Sequence, residues 1–235
     1  MNKMFCQRIL LSAITFIIVL IVSGCDVKVK PIEGGKEIAQ ELERHKIKRV
    51  TRPQILAATR KAGDSIATVA MQEVGKLLQE KLQEGGVEAA LPYCPPENFP
   101  AINALEEKYG ATARRTSSKL RNPANKADER VTALLQQYEQ GELKEPQVVE
   151  LNEQEMLYTA PIYIRSETCL RCHGTLGQEV ATEEYQVLKE RYPTDEATGY
   201  KLGDLRGMWY IHFTKKGIVT DLNAQPRKSR IPKGL

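Results

Sequence analysis

Cys169-Leu170-Arg171-Cys172-His173-Gly174 is the stretch on which the reading of this chain turns. Two thiols at i and i+3, followed at once by an imidazole, form the attachment sequence for c-type haem. Thiols one helical turn apart can add to the two vinyl groups of one porphyrin. The adjacent His173 then stands under the iron as an axial ligand. Gly174 lets the backbone turn away from the macrocycle without a side-chain clash. Two other chemistries use the same residue types. A zinc site would draw on Cys94, Cys169, Cys172 and either His173 or His212. A redox Cys-x-x-Cys pair is the weaker rival, because its flanks are not thioredoxin-like. The haem reading implies one covalent haem c. It also implies export, because covalent haem is attached outside the cytoplasm.

The N-terminus agrees with export. Lys3 and Arg8 form a short basic region, and residues 9–22 are an uncharged apolar run. The run is short for a bilayer span, which needs about 20 residues. Val22-Ser23-Gly24-Cys25 follows, with small residues directly before a cysteine. That pattern resembles the lipobox of bacterial lipoproteins, which implies cleavage after residue 24 and a lipid anchor on Cys25. An uncleaved signal anchor, with Cys25 a bystander, is the alternative. The expected location is a membrane surface facing the periplasm or another extracytoplasmic side.

Loss of residues 1–24 removes Lys3 and Arg8, so the formal net charge of +4 falls to about +2. That balance is no nucleic-acid footprint. The basic tail within 223–235 suits a frayed terminus or contact with anionic lipid. The five cysteines then sort themselves. Cys6 leaves with the signal, Cys25 takes the lipid, and Cys169 and Cys172 take the haem. Cys94 is left alone in an oxidising compartment. It is buried and inert, bonded to another chain, or occupied, for example by the sixth position of the haem iron.

Periodicity and breakers divide the rest. Residues 25–50 are a tether with Gly34-Gly35 and a linker helix over 37–50. Pro53 suits a helix start. Ile55, Ala62, Ile66, Val69, Ala70, Val74, Leu77, Leu78 and Leu82 then make one apolar stripe on a long amphipathic helix ending at Gly85-Gly86. Further helices are expected over 99–109, 128–140 and 183–192, with Gly110 and Gly141 as stops. Strands are expected over 111–118, 147–151, 156–164, 205–214 and 218–222, with Trp209, Ile211 and Phe213 on one face. Helices first, then strands interleaved with helices, point to an α+β fold with an antiparallel sheet flanked by helices.

A set of residues spread along the chain resembles one family. They are Cys94 before prolines, Arg115-Thr116-Ser117, Arg121-Asn122-Pro123-Ala124-Asn125, the Cys169–Gly174 stretch, Tyr192-Pro193-Thr194-Asp195, Ala197, Gly199-Tyr200, Gly203-Asp204 and Arg206-Gly207. In this order they resemble the DUF3365, or Tll0287-like, haem domain, over roughly residues 54–214. The resemblance implies a PAS-like fold and one covalent haem within a domain spanning 51–222. It implies proximal ligation by His173, distal ligation by Cys94, and a redox- or gas-sensing role. Such domains often precede kinase modules. None follows here, so a signal would pass to a separate protein partner.

Other candidates are weighed against plainer roles. Arg115 and Arg121 suit haem propionates, with Asn122 and Asn125 as further donors; the same stretch is also ordinary turn chemistry. His45, His212, Met156 and Met208 are the substitute sixth ligands, His212 the best of them. Asp195, Asp204 and Arg206 suit loop ion pairs. No Ser/His/Asp constellation or paired catalytic carboxylates stand out, so no enzyme is expected. The function expected is a low-spin, six-coordinate haem sensor. On reduction, protonated Cys94 would leave and admit a diatomic gas. A low-potential electron-transfer cytochrome is the alternative. A zinc-stabilised interaction domain without haem is the third reading.

Overall fold

The computed structural model describes residues 33–45, 49–95 and 99–224. The export signal, Cys25, most of the tether and the basic tail lie outside the described residues, as do the His45 side chain and residues 96–98. Helix α1 (Gly35–His45) belongs to one compact unit, and the chain from Ile47 onward forms a second. No helix among the described residues is long and apolar enough to cross a membrane.

The second unit starts with the long helix α2 (Arg52–Ala90). Thr51 opens it, its backbone N–H donating to Gln54 Oε1 at 2.9 Å, with Pro53 in the first turn where a missing N–H costs nothing. The regular helix breaks where the sequence places its end. Gly86 takes φ 68°, ψ −157°, a conformation open mainly to glycine. The chain then resumes helical geometry to Ala90 and a 3-10 turn, Leu91–Tyr93, that delivers Cys94.

Helix α3 (Pro100–Tyr109) ends on left-handed Gly110 and leads into β1 (Ala111–Thr116). Helix α4 (Glu129–Glu139) starts on Asp128, whose carboxylate accepts from Val131 N. Strands β2 (Gln147–Glu150) and β3 (Glu155–Tyr163) pair as an antiparallel hairpin. Helices α5 (Glu167–His173) and α6 (Thr182–Arg191), strand β4 (Leu205–Thr214) and helix α7 (Lys215–Ala224) complete the unit. The sheet order is β1-β4-β3-β2, and every neighbouring pair is antiparallel. The fold is α+β, with a long helix ahead of a four-stranded sheet.

Both sheet faces are covered. Ala62, Ile66, Ala70 and Val74 of α2 pack on Tyr158, Ala160, Trp209, Ile211 and Phe213, which puts the Trp209 face against the long helix as its alternation predicts. Val131, Leu135 and Tyr138 of α4 cover Leu157 and Met208 on the opposite face. One element differs from expectation. Residues 218–222 lie in helix α7, not in a fifth strand. The β-branched Val219-Thr220 pair suggests a strand, but tertiary packing decides. Ile218 and Leu222, four apart, face the core together, and Gly217 lies against the Tyr109 carbonyl where a Cβ would sit at 2.2 Å.

Gly63 and Gly75 separate packing from helix propensity. A Cβ on Gly63 would lie 2.3 Å from the Tyr158 ring, whereas one on Gly75 meets nothing within 4 Å. Helix propensity favours alanine by about 1 kcal/mol at both, while overpacking costs about 1–3 kcal/mol. In urea unfolding, Gly75→Ala should therefore raise stability and Gly63→Ala should lower it. Equal gains at both sites would show that α2 does not press on β3 as described.

Candidate functional site

The site begins where β3 leaves the sheet. Ile164 N donates to Asp204 O at 2.9 Å and Gly203 N donates to Ile164 O at 2.9 Å, tying the exit of β3 to the entrance of β4. Two residues later α5 carries Cys169, Cys172 and His173 in seven residues. The helical rise puts the two thiols one turn apart. Gly174 N closes the helix on Leu170 O at 2.8 Å. A Cβ on Gly174 would sit 2.7 Å from that oxygen, so glycine is required there by close approach.

The thiols face different apolar surroundings. Cys169 packs with Ile164, Leu170 and Tyr200. Cys172 and Cys94 pack on the same cluster of Val87, Leu91, Val180 and Leu188. Cys94 and Cys172, 78 residues apart in sequence, thus meet because α2 and α6 pack together. Cys94, Cys169 and Cys172 are all unpaired and half-buried. Burial pushes the Cys172 thiol up to about 12. It raises Cys94 as well, against the pull of the Arg115, Arg121 and Arg191 charges.

The His173 ring is held in one tautomer. Its Nδ1 lies 2.7 Å from the Ala197 carbonyl oxygen. A carbonyl only accepts, so Nδ1 carries the proton and Nε2 keeps its lone pair. Arg206 Nε lies 3.2 Å from the same Nδ1; with that nitrogen protonated, the approach is a contact and not a hydrogen bond. Burial first, then the Arg206 and Arg121 charges, hold the imidazole well below its ordinary pKa, so it is neutral. The loop 195–200 latches onto the motif, with Gly199 N on Gly174 O at 2.7 Å and Tyr200 N on His173 O at 2.9 Å. The Tyr200 ring meets the imidazole edge-on, centroids 6.2 Å apart.

A buried ion pair sets that loop. Arg121 Nη2 lies 3.1 Å from Asp195 Oδ2, with side chains 8% and 0% exposed. The same guanidinium donates to Cys172 O at 2.5 Å and Ala197 O at 3.3 Å. Asp195 Oδ1 accepts from Ala197 N at 2.8 Å. Arg121 therefore fixes Asp195, Asp195 fixes Ala197, and Ala197 fixes the imidazole. The carboxylate that Arg121 meets in the structure is Asp195.

The remaining candidates fall in distinct places. Arg115 Nη2 donates to the Cys94 carbonyl at 2.5 Å, and its guanidinium lies 5.3 Å from the Trp209 ring centroid. Asn122 Oδ1 accepts from Ala124 N at 3.0 Å, closing a 3-10 turn (Pro123–Asn125). Met156 and Met208 are core residues on opposite sheet faces. His212 meets the Tyr210 ring on the face covered by α4, in a surface cavity with Asp128, Leu151 and Leu157. Among the described residues, no group of three or more His, Cys, Asp or Glu side chains is gathered to hold a metal ion. Sequence reading marks Ala197 and Tyr200 by resemblance and Trp209 by alternation without giving them a role at the site, and takes Arg206 for a loop residue. The Gly199-Tyr200 and Arg206-Gly207 pairs were the available signals. The Ala197 contribution is a backbone carbonyl and leaves no signal.

The sequence matches the Tll0287-like family over residues 39–214. This chain belongs to the Tll0287-like family. A solved structure of the cyanobacterial heme-protein Tll0287 is 21% identical, covers 63% of this chain and 92% of that one, and has a TM-score of 0.39. No curated protein matches the chain.

Two predictions follow for this Tll0287-like domain. Arg121→Met leaves the Asp195 carboxylate buried and alone, and should cost about 3–5 kcal/mol of unfolding free energy. Replacing both partners by apolar residues should recover part of the loss; a single variant of wild-type stability would contradict the ion pair. The second concerns His173 in protein without attached cofactor. Its folded pKa is depressed, so its stabilising contribution is complete above the unfolded value of about 6.5. As pH falls below that, the unfolded chain binds a proton that the native one does not. Stability should drop by up to about 1.4 kcal/mol per pH unit until the folded pKa is passed. His173→Gln should remove that slope, read from urea midpoints between pH 5 and 8.

Proposed function

We propose that this chain is an exported haem c protein, anchored to a membrane through lipidated Cys25, that senses redox state or a diatomic gas. One haem would be held covalently by Cys169 and Cys172. His173 and Cys94 would ligate its iron. The observation that carries this reading is the neutral His173 imidazole, fixed by the Ala197 carbonyl with Nε2 left for a metal, directly beside two unpaired thiols one helical turn apart.

The donor set fits the group. A ligating histidine commonly donates its other ring N–H to a carbonyl or carboxylate, which fixes its orientation. The Ala197 carbonyl supplies that contact. Cys169, Cys172, His173 and Cys94 would together hold a haem, and its donors need not gather on one point as four zinc ligands do. The absence of such a cluster among the described residues disfavours the zinc-stabilised domain.

When bound, the haem supplies an iron that changes oxidation state and accepts a sixth ligand. The chain's own residues control access to that position. Cys94 Sγ must lose its proton to ligate. Burial opposes that loss, while the Arg115 and Arg121 charges assist it. Burial prevails, so the Cys94 thiol is held above its ordinary pKa. A proton returned to Sγ restores a neutral thiol suited to its apolar cluster of Val87 and Leu91. That preference for the neutral thiol favours a switching ligand over a permanent one, which supports sensing over simple electron transfer. No residue is assigned a catalytic role, and the receiver of the signal would be a separate protein.

The test uses protein matured in a host competent for haem c attachment. Cys94→Ala should keep the covalent haem, alter the visible spectrum and raise the reduction potential, because a thiolate favours the ferric state. Reduced wild type should bind carbon monoxide. A spectrum and potential unchanged in Cys94→Ala would remove Cys94 from the iron. Fast electron exchange with a soluble carrier and no carbon monoxide binding would favour the cytochrome.

A further inference from the structure

Trp209 is the only tryptophan in the chain. It is 2% exposed, and its Nε1–H has no hydrogen-bond partner among the described residues. An indole nitrogen is a donor only and sits on a rigid ring, so unlike a hydroxyl it cannot rotate toward another acceptor. A buried donor without an acceptor is costly, and native structures rarely leave one. Its surroundings point one way. Trp209 pairs across the sheet with Arg115 on one side and Ala160 on the other. The Arg115 guanidinium lies 5.3 Å from the indole centroid and also donates to the Cys94 carbonyl. The ring that carries the unsatisfied N–H therefore lies under the arginine that reaches Cys94.

We propose that Trp209 Nε1–H is a cofactor-positioning donor, which, together with Arg115, receives a carboxylate of the haem. The inference rests on the haem reading above. Two features favour a carboxylate over the Cys94 thiolate. A guanidinium over the indole ring offers planar donors of the kind carboxylates accept. Cys94 Sγ points back to its own helix, 3.9 Å from Ala90 O.

The experiment follows the single tryptophan by ultraviolet resonance Raman, whose indole bands report N–H hydrogen bonding, in the full chain with and without attached haem. The N–H should be hydrogen-bonded in the haem-loaded protein and free without it. It should stay bonded in haem-loaded Cys94→Ala. Trp209→Phe keeps an aromatic ring beneath Arg115 and removes only the donor. It should raise the carboxylate pKa seen in the pH dependence of the reduction potential by about one unit, a tenfold change in proton affinity. An N–H equally bonded with and without haem means water or protein satisfies it, and overturns the proposal. So does loss of the bonded signal in Cys94→Ala, which would make the thiolate the acceptor. A chain that carries no covalent haem at all overturns the haem reading itself; a chain that carries haem with a silent Trp209 overturns this inference alone.

Discussion

The site depends on one buried charge pair. Arg121 and Asp195 lie 74 residues apart in sequence, on a turn after β1 and a loop after α6. Neither charge is tolerable alone in a dry interior. Together they bind the Cys172 carbonyl, the Ala197 backbone and the loop that closes on Gly174. That set of bonds gives the His173 ring one orientation and one tautomer. A haem-type ligand needs both, and neither follows from α5, which is only seven residues long.

The sheet supplies the second constraint. Its long central pair, β3 and β4, is gripped by α2 on one face and by α4 on the other. This fixes the two strand ends between which α5 and the 195–204 loop hang. The break at Gly86 matters for the same reason. It redirects the end of α2 so that Cys94 joins Cys172 on the cluster that α6 completes. A straight helix through residue 90 would carry Cys94 elsewhere.

Local chemistry was legible in the sequence, and distant partnership was not. Gly110 and Gly141 as left-handed stops and the alternation through Trp209, Ile211 and Phe213 all act within a few residues, and each has its expected role. The Cys169-to-His173 motif is contiguous, so its helical geometry could be read directly. Residues 218–222 were misread because their helix is selected by packing of Gly217 against Tyr109, which no local pattern shows. Ala197 could be marked, but its role could not, because that role is a backbone carbonyl. Arg121 could be marked as important, but its partner could not be named, since turn chemistry around Asn122 and a buried ion pair leave the same short motif.

The central claim is that Cys169 and Cys172 hold a haem covalently and His173 serves its iron. The most direct measurement is the mass and absorption of protein matured in a haem c-competent host, then unfolded in acid and separated from free porphyrin. The account predicts that one haem stays with the wild-type chain and that Cys169→Ser/Cys172→Ser carries none. Wild-type protein that loses all its colour on unfolding, with the mass of the bare polypeptide, would contradict it.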